Sequence, residues 1–328
     1  MQSAPRIVVV LGTGGTIAGS AASADDNVAY RAATLPVATL VGSLSLPAGV
    51  AFESEQVAQL DSKDMDFATW RALASRVAAH LARPEVAAIV VTHGTDTLEE
   101  TAYFLQRVLA PAKPVVFTAA MRPATSRVAD GPQNLADAVA VALAPGARGV
   151  VAVVAGTVHS ALAVRKVHPY RLDAFGSGDA GPIARVEEGR VRLFRNWPEG
   201  EAAKLGLDRL PSDPSAWPWV AIVTSGAGTD ARAVRALVDA GCAGIVVAAT
   251  GNGRVHAVLE APLREAMARG CAVLRSTRCL DGTVIDAAGA SGIDIPSAGA
   301  LTPQQARVEL IVRLLERRRG GPGRAPPA

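Results

Sequence analysis

The chain is poor in the residues that build disulfide frameworks, metal centres and nucleic-acid surfaces. Only three cysteines occur, Cys242, Cys271 and Cys279, an odd number without C-x-x-C spacing, which excludes a zinc ribbon and a dithiol redox centre. All three read as reduced thiols buried as small hydrophobes. Aromatics make up 4% of the 328 residues, too few for a platform on which exposed bases stack. The 33 basic and 30 acidic side chains nearly cancel and are dispersed, with no basic run before residue 317. Neither nucleic acid nor a membrane is therefore expected as partner. The five histidines, His80, His93, His159, His168 and His256, show no ligand spacing, so no metal site is expected. Long apolar runs are also missing. Ile7–Leu11 is shorter than the roughly seven to fifteen residues of a secretory h-region, and the uncharged stretch from there to Ala24 is broken by glycines and hydroxyl residues, which excludes a spanning helix. A cytoplasmic location is the expectation.

What is present is 49% apolar content, ample for two buried cores. Short β-branched runs (Ile7–Leu11, Ala88–Thr92, Val115–Ala119, Val150–Ala155) alternate with segments of helical period, such as Phe67, Trp70, Leu73, Val77 and Leu81, then Leu98, Ala102, Leu105 and Val108. This rhythm predicts an α/β protein of two βα-layered domains: a larger N-terminal domain with a mainly parallel sheet over 1–196, and a smaller C-terminal α/β domain over 220–328. Between them, 197–219 loses periodicity and gains prolines, as an interdomain linker does. In the second domain Val220–Thr224, Ile245–Ala248 and Ala272–Arg275 read as strands. The last helix begins with Thr302 as N-cap, Pro303 at the first helical position and Gln305 closing a capping box. The tail from about residue 317 is expected to fray.

In open parallel sheets ligands gather beyond the carboxyl ends of the strands. Gly12-Thr13-Gly14-Gly15-Thr16 follows the first strand, His93-Gly94-Thr95-Asp96-Thr97 the next, and Ala120-Met121-Arg122-Pro123 the third. The first loop fails the dinucleotide fingerprint, because Ile17 and Thr16 stand where G-x-G-x-x-G requires glycine, and no Gly-Lys-Ser/Thr occurs for a Walker loop. Two strand ends instead deliver threonines toward one crevice. A threonine hydroxyl becomes a nucleophile only with a positioned base and donors for the developing oxyanion. Lysine is the unusual cation here, four among 33 (Lys63, Lys113, Lys166, Lys204), and unlike arginine it can give up its proton when desolvated. Spacing alone leaves Thr95 open between a catalytic role and a helix cap, and Lys63 and Lys166 open between catalysis and the surface.

Three motifs carry a family resemblance: Thr13-Gly14-Gly15-Thr16-Ile17-Ala18-Gly19, the stretch Val91 to Leu105 around His93-Gly94-Thr95-Asp96-Thr97, and Ala120-Met121-Arg122-Pro123 continuing to Ala129-Asp130-Gly131-Pro132 and Asn134-Leu135. In these the chain resembles the bacterial-type L-asparaginases, a family that includes glutaminase-asparaginases. Weaker agreement runs through Asp61–Met65, Ala249–Gly253 and Leu301–Arg307. The resemblance implies hydrolysis of L-asparagine to L-aspartate and ammonia by double displacement, with no cofactor. It also implies homotetramers of intimate dimers with active sites between subunits. Carried over by position, it makes Thr16 the nucleophile, Tyr30 on a mobile loop its activator, and Thr95, Asp96 and Lys166 the second catalytic group. It places Ser62 on the substrate α-carboxylate and Asp96 on the α-amino group. Gly94, Thr95 and Ala120 would line the carboxamide pocket, and Asn252 would come from the partner subunit. The alternatives are a glutaminase-asparaginase of the same mechanism and a non-catalytic amino-acid sensor.

Two positions depart from the family pattern. Lys63 stands where periplasmic members often carry glutamine, and would either add a contact to the carboxylate or point to solvent. No glutamate occurs between Cys279 and Gly299 to match the one that those members place near the substrate amine; Asp286 is the nearest candidate.

Overall fold

Strands form where β-branched side chains concentrate, because these are stiff at χ1 and pack well on a pleated surface. The computed structural model describes residues 6–42, 44, 48–199, 205–286 and 294–318. The chain divides into two units, 1–203 and 204–328. In the first, β1 (Arg6–Gly14) leads through a small ribbon of β2 (Ser20–Ala21) and β3 (Tyr30–Arg31) and the short α1 (Val37–Gly42) to β4 (Val50–Leu60). Then follow α2 (Phe67–Leu81), β5 (Val86–Thr92), α3 (Leu98–Leu109), β6 (Val115–Thr118), α4 (Gly131–Ala142) and β7 (Val150–Val154). The chain continues through β8 (Thr157–Ser160), β9 (Arg165–Lys166), β10 (Phe175–Gly176), β11 (Ala184–Glu187) and β12 (Arg190–Leu193).

Eight of these strands form one sheet in the order β12-β11-β8-β7-β6-β5-β1-β4. From β7 to β4 all neighbours are parallel; β8, β11 and β12 join antiparallel. The mainly parallel sheet expected from the sequence is thus what is found. Val8–Leu11, Ile89–Val91 and all of β7 are buried on both faces, as strands covered by helices on either side must be. Leu98, Ala102, Leu105 and Val108 of α3 are all buried. Against them Trp70 of α2 stacks on Phe104 with ring centroids 4.7 Å apart, and its indole N–H donates to Thr101 Oγ1 at 3.0 Å. The edge strand β4, missed in the sequence, alternates apolar residues with glutamates whose partners lie on and just after α2: Glu55 meets Arg76 and His80, and Glu53 meets Arg83.

In the second unit β13 (Val220–Thr224), β14 (Gly244–Ala249) and β15 (Ala272–Thr277) form a parallel sheet in that order, with α5 (Arg232–Asp239), α6 (Ala257–Ala268) and α7 (Pro303–Arg317). The capping box of α7 is formed as predicted: Thr302 Oγ1 accepts from Gln305 N at 3.1 Å and Gln305 Oε1 accepts from Thr302 N at 3.3 Å. Before β13, within the stretch read as a linker, two short turns (Leu207–Arg209, Pro214–Ala216) accompany buried Leu205, Leu210 and Trp217. Cys242 and Cys271 are free and buried, but Cys279 is exposed, which corrects the reading of all three as buried. It follows β15 in a loop after Arg278, where no core reaches it. The tail expected to fray lies, beyond Arg318, outside the described residues. Among the described residues no helix is long and apolar enough to cross a membrane.

The sheet order places a switch point. From β1 the chain moves to β4 on one side, then returns to β5 on the other. The connections after β1 and β5 therefore leave their adjacent strand ends in different directions and open a crevice between them.

Candidate active site

The loop after β1 is shaped by glycines. Thr13 Oγ1 donates to the carbonyl of Thr92 at 3.0 Å and fastens β1 to β5. The chain then turns through Gly14 (φ 106°) and Gly15 (φ 81°), conformations that side chains rarely adopt. A Cβ on Gly15 would lie 2.3 Å from the Cα of Gly94, so the two loops touch backbone to backbone. Thr16 opens a single 3-10 turn, is 6% exposed, and has its Oγ1 at 2.7 Å from Tyr30 Oη. Tyr30 lies in β3, which pairs antiparallel with β2. That ribbon is tied to the loop after β6 through Ala21 N to Thr125 Oγ1 at 2.9 Å and Arg127 to Asp25 at 2.6 Å.

The loop after β5 gathers the other groups. A Cβ on Gly94 would meet Ser62 Oγ at 2.4 Å, and that same oxygen accepts from Asp96 N at 3.2 Å. Thr97 Oγ1 donates to the Ser62 carbonyl at 2.8 Å. Lys166 Nζ donates to Thr95 Oγ1 at 2.9 Å and to Asp96 Oδ1 at 2.6 Å. One patch at the ends of β1, β4 and β5 thus holds Thr16, Tyr30, Ser62, Gly94, Thr95, Asp96 and Lys166. Ala120 is fully buried beside Ile17 and Ala18, next to Thr16. Its loop is held by Asp130, which accepts from Met121 N and Arg122 N at 2.9 and 3.0 Å. Asn134 adds a bond to the carbonyl of Ala119 at 2.8 Å.

Lys63, Asn252 and Asp286 have partners of their own. The Lys63 ammonium is mostly exposed and paired with Asp64 at 2.7 Å and Asp61 at 3.2 Å, which raise its pKa in that order. Asn252 lies in the second unit, where its amide pairs with the backbone of Ile285 in both directions, at 2.9 and 2.7 Å. Asp286, next along the chain, forms an ion pair with the buried Arg275. Among the described residues no group of three or more His, Cys, Asp or Glu could hold a metal.

Sequence reasoning missed Glu99. It is 8% exposed, and its Oε2 accepts from the backbone N–H of Lys166 at 2.6 Å. Burial pushes its pKa up to about 7, opposed first by that hydrogen bond. The available signal was the apolar girdle of α3: Tyr103 and Phe104 widen the stripe of Leu98, Ala102 and Leu105 until most of the helix is buried, so a glutamate there needs a partner.

Two histidines are also held away from their ordinary state. His93 Nδ1 donates to the carbonyl of Gly94 at 2.7 Å while Nε2 finds no partner among the described residues, and burial lowers its pKa to about 4. His159, beside Ser177 Oγ at 2.7 Å, is lowered to about 4 by burial and then by the charge of Arg185. Both are neutral in the fold and take up protons on unfolding below about pH 6.5, so their stabilisation is full above that pH and is lost toward pH 4. Glu99 runs oppositely, since its raised pKa costs stability as pH rises from 4.5 toward 7. Two histidines outweigh one glutamate. The thermal midpoint therefore falls between pH 6.5 and 4.5, and His159→Gln removes about 2 kcal/mol of that loss. Thermal scans of both proteins at the two pH values check this; parallel slopes would refute it.

The comparisons with known proteins cover both units. The family model described as "Asparaginase, N-terminal" matches residues 7–199, and "Glutaminase/Asparaginase C-terminal domain" matches 219–319. A "Probable L-asparaginase periplasmic" of Haemophilus influenzae is 36% identical over 317 residues, 94% of this chain and 88% of that protein. A "Glutaminase-asparaginase" of Pseudomonas fluorescens is 36% identical over 315 residues, 94% of this chain and 86% of that protein. The crystal structure of a "Probable Cytoplasmic L-asparaginase" from Campylobacter jejuni is similar with a TM-score of 0.86 at 35% identity, covering 94% of this chain and 95% of that one.

Proposed function

The chain belongs to the asparaginase family, whose members are amidohydrolases, and we propose that it hydrolyses L-asparagine to L-aspartate and ammonia through an acyl-enzyme on Thr16. The observation that carries this reading is the pairing at two touching loops: Thr16 with Tyr30 at 2.7 Å, and Thr95 with Lys166 at 2.9 Å. Each threonine has its own partner, as two successive displacements require.

In the first displacement Thr16 Oγ attacks the carboxamide carbon while its proton passes to Tyr30 Oη, which hands its own proton on toward the leaving nitrogen. Backbone amides of the two loops stabilise the oxyanion, and the C–N bond breaks as ammonia takes up a proton. In the second, water attacks the ester while its proton passes through Thr95 to Lys166 acting in its neutral form, and Thr16 Oγ is released as it takes a proton back through Tyr30. Ser62 accepts from Asp96 N, which leaves its O–H free to donate to the substrate α-carboxylate. Asp96, half exposed beside Lys166, keeps an oxygen for the α-amino group. Gly94, Thr95 and Ala120 line the carboxamide pocket. The Lys63 ammonium, engaged by two neighbouring aspartates, is assigned to solvent. The homotetramer with Asn252 supplied by a partner rests on the family resemblance. The free cysteines and the compartment named for the Campylobacter relative favour the cytoplasm, although the Haemophilus relative is called periplasmic.

A relative called glutaminase-asparaginase matches as well as one called L-asparaginase, which keeps glutamine as a second reading. The two amides differ by one methylene, worth about 1–3 kcal/mol in a pocket. Steady-state ammonia release is expected to favour asparagine over glutamine by about 10- to 200-fold in kcat/KM. Equal turnover would support the glutaminase reading, and aspartate binding without turnover of either amide would support a sensor.

A further inference from the structure

Glu99 is a buried carboxylate that neither displacement uses. It stands in the first turn of α3, four residues after Thr95, and its Oε2 accepts from the backbone N–H of Lys166. Lys166 itself has a slender backbone support. It lies in β9, a strand of two residues that pairs, among the described residues, with the two residues of β10. From there its side chain reaches back to Thr95 and Asp96, which immediately precede Thr97, the N-cap of α3. Lys166 is therefore gripped twice by the start of one helix: at its backbone N–H by Glu99 and at its ammonium by Thr95 and Asp96.

This double grip has a physical purpose. A lysine carries a compact charge on a flexible four-carbon stem, so the place of its Nζ depends on where its Cα is anchored. A shift of about 1 Å in a group that must meet a reacting atom can cost on the order of 100-fold in rate. We propose that Glu99 is a positioning residue for the Thr95–Asp96–Lys166 group and acts through the backbone N–H of Lys166. The proposal rests on the reading of Lys166 as part of the second catalytic group.

The electrostatic setting supports it. Burial pushes the Glu99 pKa up to about 7; the Lys166 N–H and the charges of Arg165 and Lys166 on β9 hold it down, and Glu100 on α3 raises it further. The carboxylate, the stronger acceptor, is thus fully formed only above pH 7. As pH falls through 7 it takes up a proton, the bond to Lys166 becomes one to a neutral acceptor, and the lysine is held less firmly. Glutamine in its place would keep an acceptor oxygen without the titration.

The test compares Glu99→Ala and Glu99→Gln with the native enzyme, reading kcat and KM for asparagine from pH 6 to 9 together with thermal midpoints. Glu99→Ala is expected to lower kcat about 10- to 100-fold with KM within about threefold. Glu99→Gln, a neutral acceptor at every pH, is expected to hold kcat near the level the native enzyme shows below pH 7, above that of Glu99→Ala, and to lose the rise of kcat through pH 7. Lys166→Met separates the two readings. With Lys166→Met impaired, adding Glu99→Ala to it should lower kcat little further, because the positioned group is gone. A harmless Glu99→Ala beside an impaired Lys166→Met overturns the positioning role alone. An unimpaired Lys166→Met overturns the assignment of Lys166 and this proposal with it. A lowered midpoint in both Glu99 variants with the native pH profile intact assigns Glu99 to packing and also overturns the proposal.

Discussion

Thr16→Ala is expected to lower ammonia release from L-asparagine by about 10⁴-fold or more, the scale seen when a covalent nucleophile is removed. The side chain is 6% exposed and touches Tyr30 through one hydroxyl. Its removal deletes an oxygen and a methyl group from a turn whose shape is set by the backbone of Gly14 and Gly15. The fold should therefore lose only about 1 kcal/mol, most of it from the Tyr30 hydroxyl left without its partner. Loss of activity with little loss of stability distinguishes a nucleophile from a packing residue. Mass spectrometry supplies the second reading: rapid quenching of the native enzyme with asparagine should show an aspartyl adduct on the peptide bearing Thr16, and the variant should show none. An adduct that persists in Thr16→Ala, on Thr95 for instance, would move the nucleophile to the other loop.

How far the site could be read in advance follows from burial and length. β1, β5 and β7 are continuous apolar runs because both their faces are covered, and such runs stand out in any sequence. The edge strand β4 has one face toward charged partners, and Glu53, Glu55 and Gln56 disguise its alternation. α4 opens with Gly131 and Pro132 in a stretch conspicuous for its motif, which masks the helical period behind it. The two glycine-bearing loops were placed correctly because strand ends are where a parallel sheet presents polar groups. Lys166 had no such signal. A two-residue strand has no period, and only the family resemblance brought it to Thr95, some seventy residues away in sequence. Glu99 lies on the helix that follows Thr95 and is hidden by its charge, which suggests a surface until the width of the apolar face is counted. Asn252 and Asp286 belong to loops of the second unit, where their partners, Ile285 and Arg275, come from other segments that no local pattern pairs with them.

Lys166→Met is expected to lower steady-state turnover by about 10²- to 10⁴-fold, the contribution of a positioned acid–base group. Methionine keeps much of the stem but removes the donors that Thr95 Oγ1 and Asp96 Oδ1 now share. Arginine should not rescue it, since a guanidinium has a different shape and does not give up its proton. The form of the defect is more informative than its size. If Thr95 and Lys166 serve the second displacement, the first remains competent in Lys166→Met, because Thr16 still faces Tyr30. Mixing the variant with asparagine should then release a stoichiometric burst of ammonia before a slow steady rate, with the aspartyl adduct accumulating on Thr16. Thr16→Ala gives neither burst nor adduct. Rapid-quench assay of ammonia with intact-protein mass spectrometry reads both. A Lys166→Met enzyme that is slow from the first turnover and holds no adduct would show that the lysine acts before the acyl-enzyme forms, and the two threonine pairs would then have to be treated as one relay rather than two successive ones.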